Sequence, residues 1–154
     1  MSSIIETIDA AVPVRTAYDQ WTQFESFPSF MEGVEKVDQL DDTTIRWVAN
    51  IAGQKRTWKA RITEQIPDER IAWTSIDGAR NAGVVTFHRL ADSLTRVTLQ
   101  LDVDPEGPVD NVGDALGLVQ RRAKGDLKRY KEFIEGRGVE TGAWRGTVNQ
   151  SSER

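Results

Sequence analysis

Three of the five tryptophans in this 154-residue chain constrain its fold more than any other feature. Trp47, Trp58 and Trp73 fall in separate short segments of apolar/polar alternation, each on the parity of the neighbouring aliphatic residues. A strand turns successive side chains to opposite faces, so all three indoles are expected on one face of one sheet. That face needs an apolar cover, and a long amphipathic segment near the end of the chain can supply it. Aromatic bulk from three strands beneath one helix either fills a wide core or lines a hydrophobic ligand cavity, and the pattern alone leaves both open.

The alternation recurs along the chain. Ile4, Ile8, Ala10 and Val12 share a parity with Glu6, which reads as a strand ending at Pro13. Proline suits the first turn of a helix, and Val14, Ala17, Tyr18 and Trp21 follow at helical spacing. Phe24, Phe27, Phe30 and Met31 cluster around Pro28, which implies a second short helix or a lid-like corner.

From Val34 to Val103, turn residues at Asp41-Asp42, Ala52-Gly53, Pro67-Asp68-Glu69, Asp77-Gly78 and Ala91-Asp92-Ser93 separate six strands joined as antiparallel hairpins. Their inward residues are expected to be Ile45, Trp47, Ala49 and Ile51, then Arg56, Trp58, Ala60 and Ile62, then Ile71, Trp73 and Ser75. Gly83, Val85 and Phe87, and Thr95, Val97, Leu99, Leu101 and Val103, complete the set. No register is assigned to 34–40, where alternation is poor.

After Asp104-Pro105-Glu106-Gly107-Pro108, a helix is predicted from about Asn111 to Glu135. Its stripe is Val112, Leu116, Val119, Ala123, Leu127, Tyr130 and Ile134, and at about 1.5 Å per residue it is about 38 Å long, enough to cross a small sheet. The expected class is α+β: a seven-stranded curved antiparallel sheet wrapped around a long C-terminal helix, with two short helices after the first strand. Residues 1–138 form the domain. Residues 139–154, rich in glycine and polar side chains, read as a flexible C-terminal tail whose removal leaves the fold intact. Trp144 within it is either pinned to a surface groove or awaiting a partner.

The blocks AAVPVRTAYDQW, FESFPSFMEGVEKV, RITEQIPDERIAWTSIDG, GVVTFHRL, TRVTLQL and LKRYKEFIEGRG, in this order, resemble the START-like helix-grip superfamily (SRPBCC), in its polyketide cyclase/dehydrase branch. The similarity covers roughly residues 3–138. It implies a hydrophobic cavity between sheet and long helix, which in relatives holds lipids, sterols or aromatic polyketides. The expected function is binding of such a molecule, with cyclase/dehydrase chemistry or non-catalytic carriage as the alternatives. A fold does not select between them.

The ligand-lining residues expected on this basis are Trp47, Trp58, Trp73, Phe87, Phe27, Phe30, Met31, Leu116, Val119 and Tyr130. Phe27, Phe30 and Met31 either gate the mouth or plug the end of the fold. A cyclase must stabilise a developing oxyanion and move a proton, so it needs a donor and an acceptor within about 3 Å of one reacting atom. Arg56, Tyr18 and Ser75 are the catalytic candidates among the inward polar residues, which also include Glu6 and Tyr130. His88 follows inward Phe87 and is therefore assigned to the outer face.

The absence of cysteine excludes thiolate chemistry, and a single histidine excludes a multi-histidine metal cage, so no metal or other cofactor is expected. The formal charge of -4 gives no overall pull toward nucleic acid or anionic membrane. Neither a basic leader nor a run of about 18 apolar residues is present, which suggests a soluble, cytoplasmic protein without membrane insertion. Arg121, Arg122, Lys124, Lys128, Arg129 and Lys131 make one stretch of the last helix basic, with Arg121, Lys124, Lys128 and Lys131 on one outward face. That face is either solvated or a docking patch for an acidic protein partner or an anionic carrier. A homodimer is left open.

Overall fold

A computed structural model describes residues 2–51, 53–78, 81–103 and 112–149, with the backbone alone for Ser2, Ile51, residues 112–116 and Asn149. The alternating segments form strands β1 (Ser2–Ala10), β2 (Val34–Gln39), β3 (Thr44–Ile51), β4 (Gln54–Ile66), β5 (Arg70–Ser75), β6 (Asn81–Ala91) and β7 (Leu94–Val103). Helix α1 (Val14–Trp21) and a 3-10 helix (Phe24–Ser29) follow β1, α2 (Val112–Arg137) follows β7, and a two-residue strand, β8 (Val148–Asn149), comes last. The sheet order is β1-β7-β6-β5-β4-β3-β2, every pairing is antiparallel, and β8 adds to β4. The chain thus has the seven-stranded curved sheet and long C-terminal helix that the pattern predicts, with one short strand more.

The expected inward residues face one another across the ladders. Trp47 lies opposite Trp58, Ile45 opposite Ala60, Ile62 opposite Trp73, and Trp73 opposite Gly83. Gly83 has a steric reason to be glycine, since a β-carbon there would run into the Trp73 ring. His88 is exposed on the outer face beside buried Phe87. β2 contains a register shift between Val34 and Lys36, which accounts for its poor alternation.

A second irregularity matters more. β4 shifts register between Ile62 and Glu64, so Gln65 instead of Glu64 turns inward. Gln65 is 1% exposed, while Glu64 pairs with Arg70 outside the core.

The last helix buries Ala123, Leu127, Tyr130 and Ile134 of the expected stripe. Its predicted start at Asn111, the side chains of Val112 and Leu116, and the loop at 104–108 lie outside the described residues. Tyr130 Oη donates to the Ala17 carbonyl at 2.6 Å, tying α2 to α1. Trp21 packs edge-on against Tyr130 (4.9 Å between ring centres) and Phe27 (5.7 Å), and Phe30 lies 5.4 Å from Tyr130 and 5.3 Å from Phe133. These rings close one end of the space between sheet and helix, each buried large side chain contributing about 2 kcal/mol.

The segment from Val139 corrects the expectation of a flexible tail as far as Asn149. Thr141 N–H donates to Gln20 Oε1 (2.8 Å), Trp144 N–H to Thr22 Oγ1 (3.1 Å), and Val148 pairs with Gln65. The segment is a strap across α1, and Trp144 packs on the core instead of standing free. Composition missed this because most of the anchoring groups are polar, the backbone amides, the Thr141 hydroxyl and Arg145, and Trp144 and Val148 alone do not make an apolar period.

Candidate functional site

Concave-face residues that remain half-buried mark where the inner surface is not sealed by its own packing. Trp47, Trp58 and Trp73 are all half-buried, as are Leu101, Ser75 and Val119. The Trp47 and Trp58 rings are parallel, 3° apart with centres at 5.9 Å, and Phe27 backs Trp47 at 5.5 Å. The sheet register extends this wall through Trp73 and Gly83 to Leu101 and Ile4. Trp47 Nε1 is buried and has no hydrogen-bond partner. A buried donor without an acceptor costs about 1–3 kcal/mol, so this N–H is a group for which an incoming acceptor would be favourable.

The expected site residues divide. Phe27, Phe30, Phe87 and Tyr130 are at most 6% exposed and pack into the core, and Met31 is half-buried against it. Phe27 and Phe30 therefore plug their end of the fold. The Leu116 side chain lies outside the described residues.

The three catalytic candidates are not brought together. Ser75 lies opposite Ala60, two residues along β4 from Trp58, and its Oγ accepts the Asn81 N–H at 3.1 Å. Arg56 is exposed near the β3–β4 turn, where it donates to Gln54 Oε1 at 3.0 Å. Tyr18 lies elsewhere, edge-on to Phe87 at 5.4 Å beneath the strap. The wall and Tyr18 are separated along β6 by the run from Gly83 to Phe87.

Around Tyr18 is a buried polar cluster that sequence reasoning did not find. Asp19 is 1% exposed and is ion-paired by Arg145 of the strap, whose Nη2 also lies 2.9 Å from Asp68 Oδ2. The Arg145 guanidinium sits over the Tyr18 ring at 5.7 Å. Burial pushes the Tyr18 hydroxyl up to about 12, against the opposing pull of the Gln65 amide and Arg145. Burial also holds the Asp19 carboxyl above its ordinary range despite Arg145. Tyr18 Oη and both polar atoms of the Gln65 side chain lack a well-formed hydrogen bond. The β4 register shift and the strap create this cluster, and neither has a periodic signature. A phenol held protonated and an ion-paired carboxylate make it a structural cluster more than a proton-transfer site at neutral pH.

The basic stretch of α2 also divides. Arg122 donates to the Asn50 carbonyl (3.3 Å), Arg129 Nε to the Phe30 carbonyl (3.0 Å), and Lys131 Nζ to the Asp9 carbonyl (2.9 Å). Lys131, expected on a free outward face, is tied down beside β1. Only Arg121, Lys124 and Lys128 remain as exposed cations. Among the described residues, no group of three or more His, Asp or Glu side chains is gathered closely enough to hold a metal ion. No helix among them is long and apolar enough to cross a membrane.

Comparison with known proteins agrees with this architecture. The family described as polyketide cyclase / dehydrase and lipid transport matches residues 10–132. An uncharacterised 17.2 kDa protein of Streptomyces lincolnensis is 57% identical over 149 residues, covering 96% of this chain and 99% of its own. Among solved structures, the Zhui aromatase/cyclase from a Streptomyces species aligns with a TM-score of 0.76 at 18% identity, over 93% of this chain and 99% of its own. A START superfamily protein from Mycobacterium smegmatis aligns with a TM-score of 0.70 at 17% identity, over 88% and 95%. At such identities the structural likeness carries the fold and not the activity.

Proposed function

Since the chain belongs to the polyketide cyclase, dehydrase and lipid transport family, we propose that it holds a hydrophobic small molecule, aromatic-polyketide-like or lipid-like, against the wall formed by Trp47, Trp58 and Trp73. The observation that carries this reading is the half-buried Trp47–Trp58 pair with its unpartnered indole N–H. Parallel indoles offer a flat apolar surface, and the N–H offers one directional contact to a carbonyl or hydroxyl oxygen. Both suit a planar oxygenated molecule better than a bare hydrocarbon.

Binding without turnover is the reading the polar groups favour. A cyclase needs a donor and an acceptor converging on one reacting atom, and Tyr18 is remote from Ser75 and Arg56. Cyclase chemistry is the second reading, supported by Arg56 and Ser75 standing at the same end as Trp58.

Titration with the neutral fluorophore N-phenyl-1-naphthylamine tests the wall. Trp58→Ala and Trp73→Ala are expected to weaken binding tenfold or more while circular dichroism stays native. Unchanged affinity in both variants sinks the reading. Among oxygenated aromatic ligands, Arg56→Ala separates turnover from storage, since it lowers a turnover rate and leaves simple binding almost unaltered.

A further inference from the structure

The division of cations on α2 points to a second binding site. Arg121, Lys124 and Lys128 recur at helical spacings of three and four, so they stand above one another on one flank. None of them has an ion pair or hydrogen bond among the described residues, and all are exposed. Like charges one turn apart repel, and no ion pair among the described residues closes on any of the three.

These cations border a groove of about 370 Å³ between α2 and the edge strand β1. Its floor includes Ile8, half-buried, and Leu127, which is 1% exposed. Glu6 on the inward row of β1 also lines it. The groove is on the opposite flank of α2 from the contacts of Arg122 and Arg129, and no residue of the tryptophan wall lines it. Its volume falls at the lower end of small-molecule sites, about 300–1,000 Å³.

An apolar floor with three unpaired cations at the rim complements one kind of occupant. We propose that this groove binds a free amphiphile with a single anionic head, a carboxylate or a phosphate monoester, whose apolar body lies on Ile8 and Leu127. The head rests among Arg121, Lys124 and Lys128, where charge-assisted hydrogen bonds replace the like-charge repulsion. Glu6 disfavours a second anion on the floor and accepts a hydrogen bond from a hydroxyl group on the ligand. The occupant is a small molecule because the concavity is of ligand size.

Calorimetric titration of the full chain with dodecanoate, dodecyl phosphate and neutral 1-dodecanol, below their aggregation limits, tests this. The double variant Lys124→Glu/Lys128→Glu is expected to lose tenfold or more in affinity for both anions, and Lys124→Gln/Lys128→Gln about threefold. Raising the salt concentration should weaken anion binding to the wild type. Affinity for 1-dodecanol and N-phenyl-1-naphthylamine should stay the same in all three proteins, which keeps this site distinct from the tryptophan wall. Equal binding of dodecanoate by wild type and charge-reversed protein overturns the proposal. So does a variant that stops binding phosphatidylglycerol vesicles but retains dodecanoate, since the cations would then read a membrane surface.

Discussion

On the β2 side of α2, Arg122, Asp126 and Arg129 engage the backbone of Asn50, Glu32 and Phe30 respectively, whereas on the β1 side Arg121, Lys124 and Lys128 have no ion pair or hydrogen bond among the described residues. Only the last turns close that second flank, where Lys131 reaches the Asp9 carbonyl and Glu135 accepts the Ala11 N–H. The same residue types, one position apart on one helix, therefore serve opposite ends. Arg122 fits its seal because Gly33, at φ +86°, has no side chain where the guanidinium passes. A cation that replaces its water shell with fixed carbonyls becomes part of the fold, and one that keeps its water shell stays available to a ligand.

The largest effect should come where a cation closes the fold most deeply. Arg145→Ala leaves Asp19, 1% exposed, with Arg15 at 3.6 Å as its one cation among the described residues, a side chain that is 68% exposed. The expected loss is about 3 kcal/mol in urea unfolding at neutral pH. The Asp19 carboxyl already titrates above its ordinary range in the folded protein. A raised carboxyl makes its deficit at pH values above the folded-state pKa, so the deficit of Arg145→Ala should shrink as pH falls through that range.

On the sealed flank, Arg129→Ala removes the Phe30 contact and uncovers Asp126, whose side chain is 14% exposed. About 2 kcal/mol should be lost. If thermal melting shows no larger change than for Lys124→Ala, the contrast between the flanks is broken.

Glu135→Gln probes the closed end of the other flank. Lys131 and the Ala11 N–H hold the Glu135 carboxyl below its ordinary range. Its contribution, about 1 kcal/mol, is thus present above the unfolded-state pKa and lost as pH falls through the lower folded-state value. Stability curves of variant and wild type should separate at pH 7 and converge in acid. A constant gap would assign the effect to packing.

The smallest effect belongs to the free cations. Lys124→Ala and Lys128→Ala should each stay within about 0.5 kcal/mol of wild type by urea unfolding. A loss near that of Arg129→Ala would mean the open flank is a structural seal after all.

The contrast also explains what was legible from residues alone. The face carrying Trp47, Trp58 and Trp73 followed from alternation, since a two-residue period allows only one pair of faces. The catalytic trio did not survive as a unit, because Tyr18 is buried on α1, Ser75 is half-buried on β5 and Arg56 is exposed near the β3–β4 turn, and a shared strand parity says nothing of burial or distance. Gln65 escaped because a one-residue register shift reverses parity without a mark in composition. The six basic residues of α2 look alike in sequence, yet three are drawn into contacts by carbonyls 72 to 122 positions away.

By itself the sequence determined the first seven strands, the helices and, outside β2 and the shifted end of β4, the face each turns inward, because those depend on local period, turn residues and helical stripes within a few positions. The tertiary structure decided which polar groups meet. It seated the strap on Asp19, separated Tyr18 from the tryptophan wall, and divided the cations of α2 into sealed and open flanks. Such meetings depend on curvature and register accumulated across the whole sheet, and a charged group's role follows from whether a partner stands opposite it.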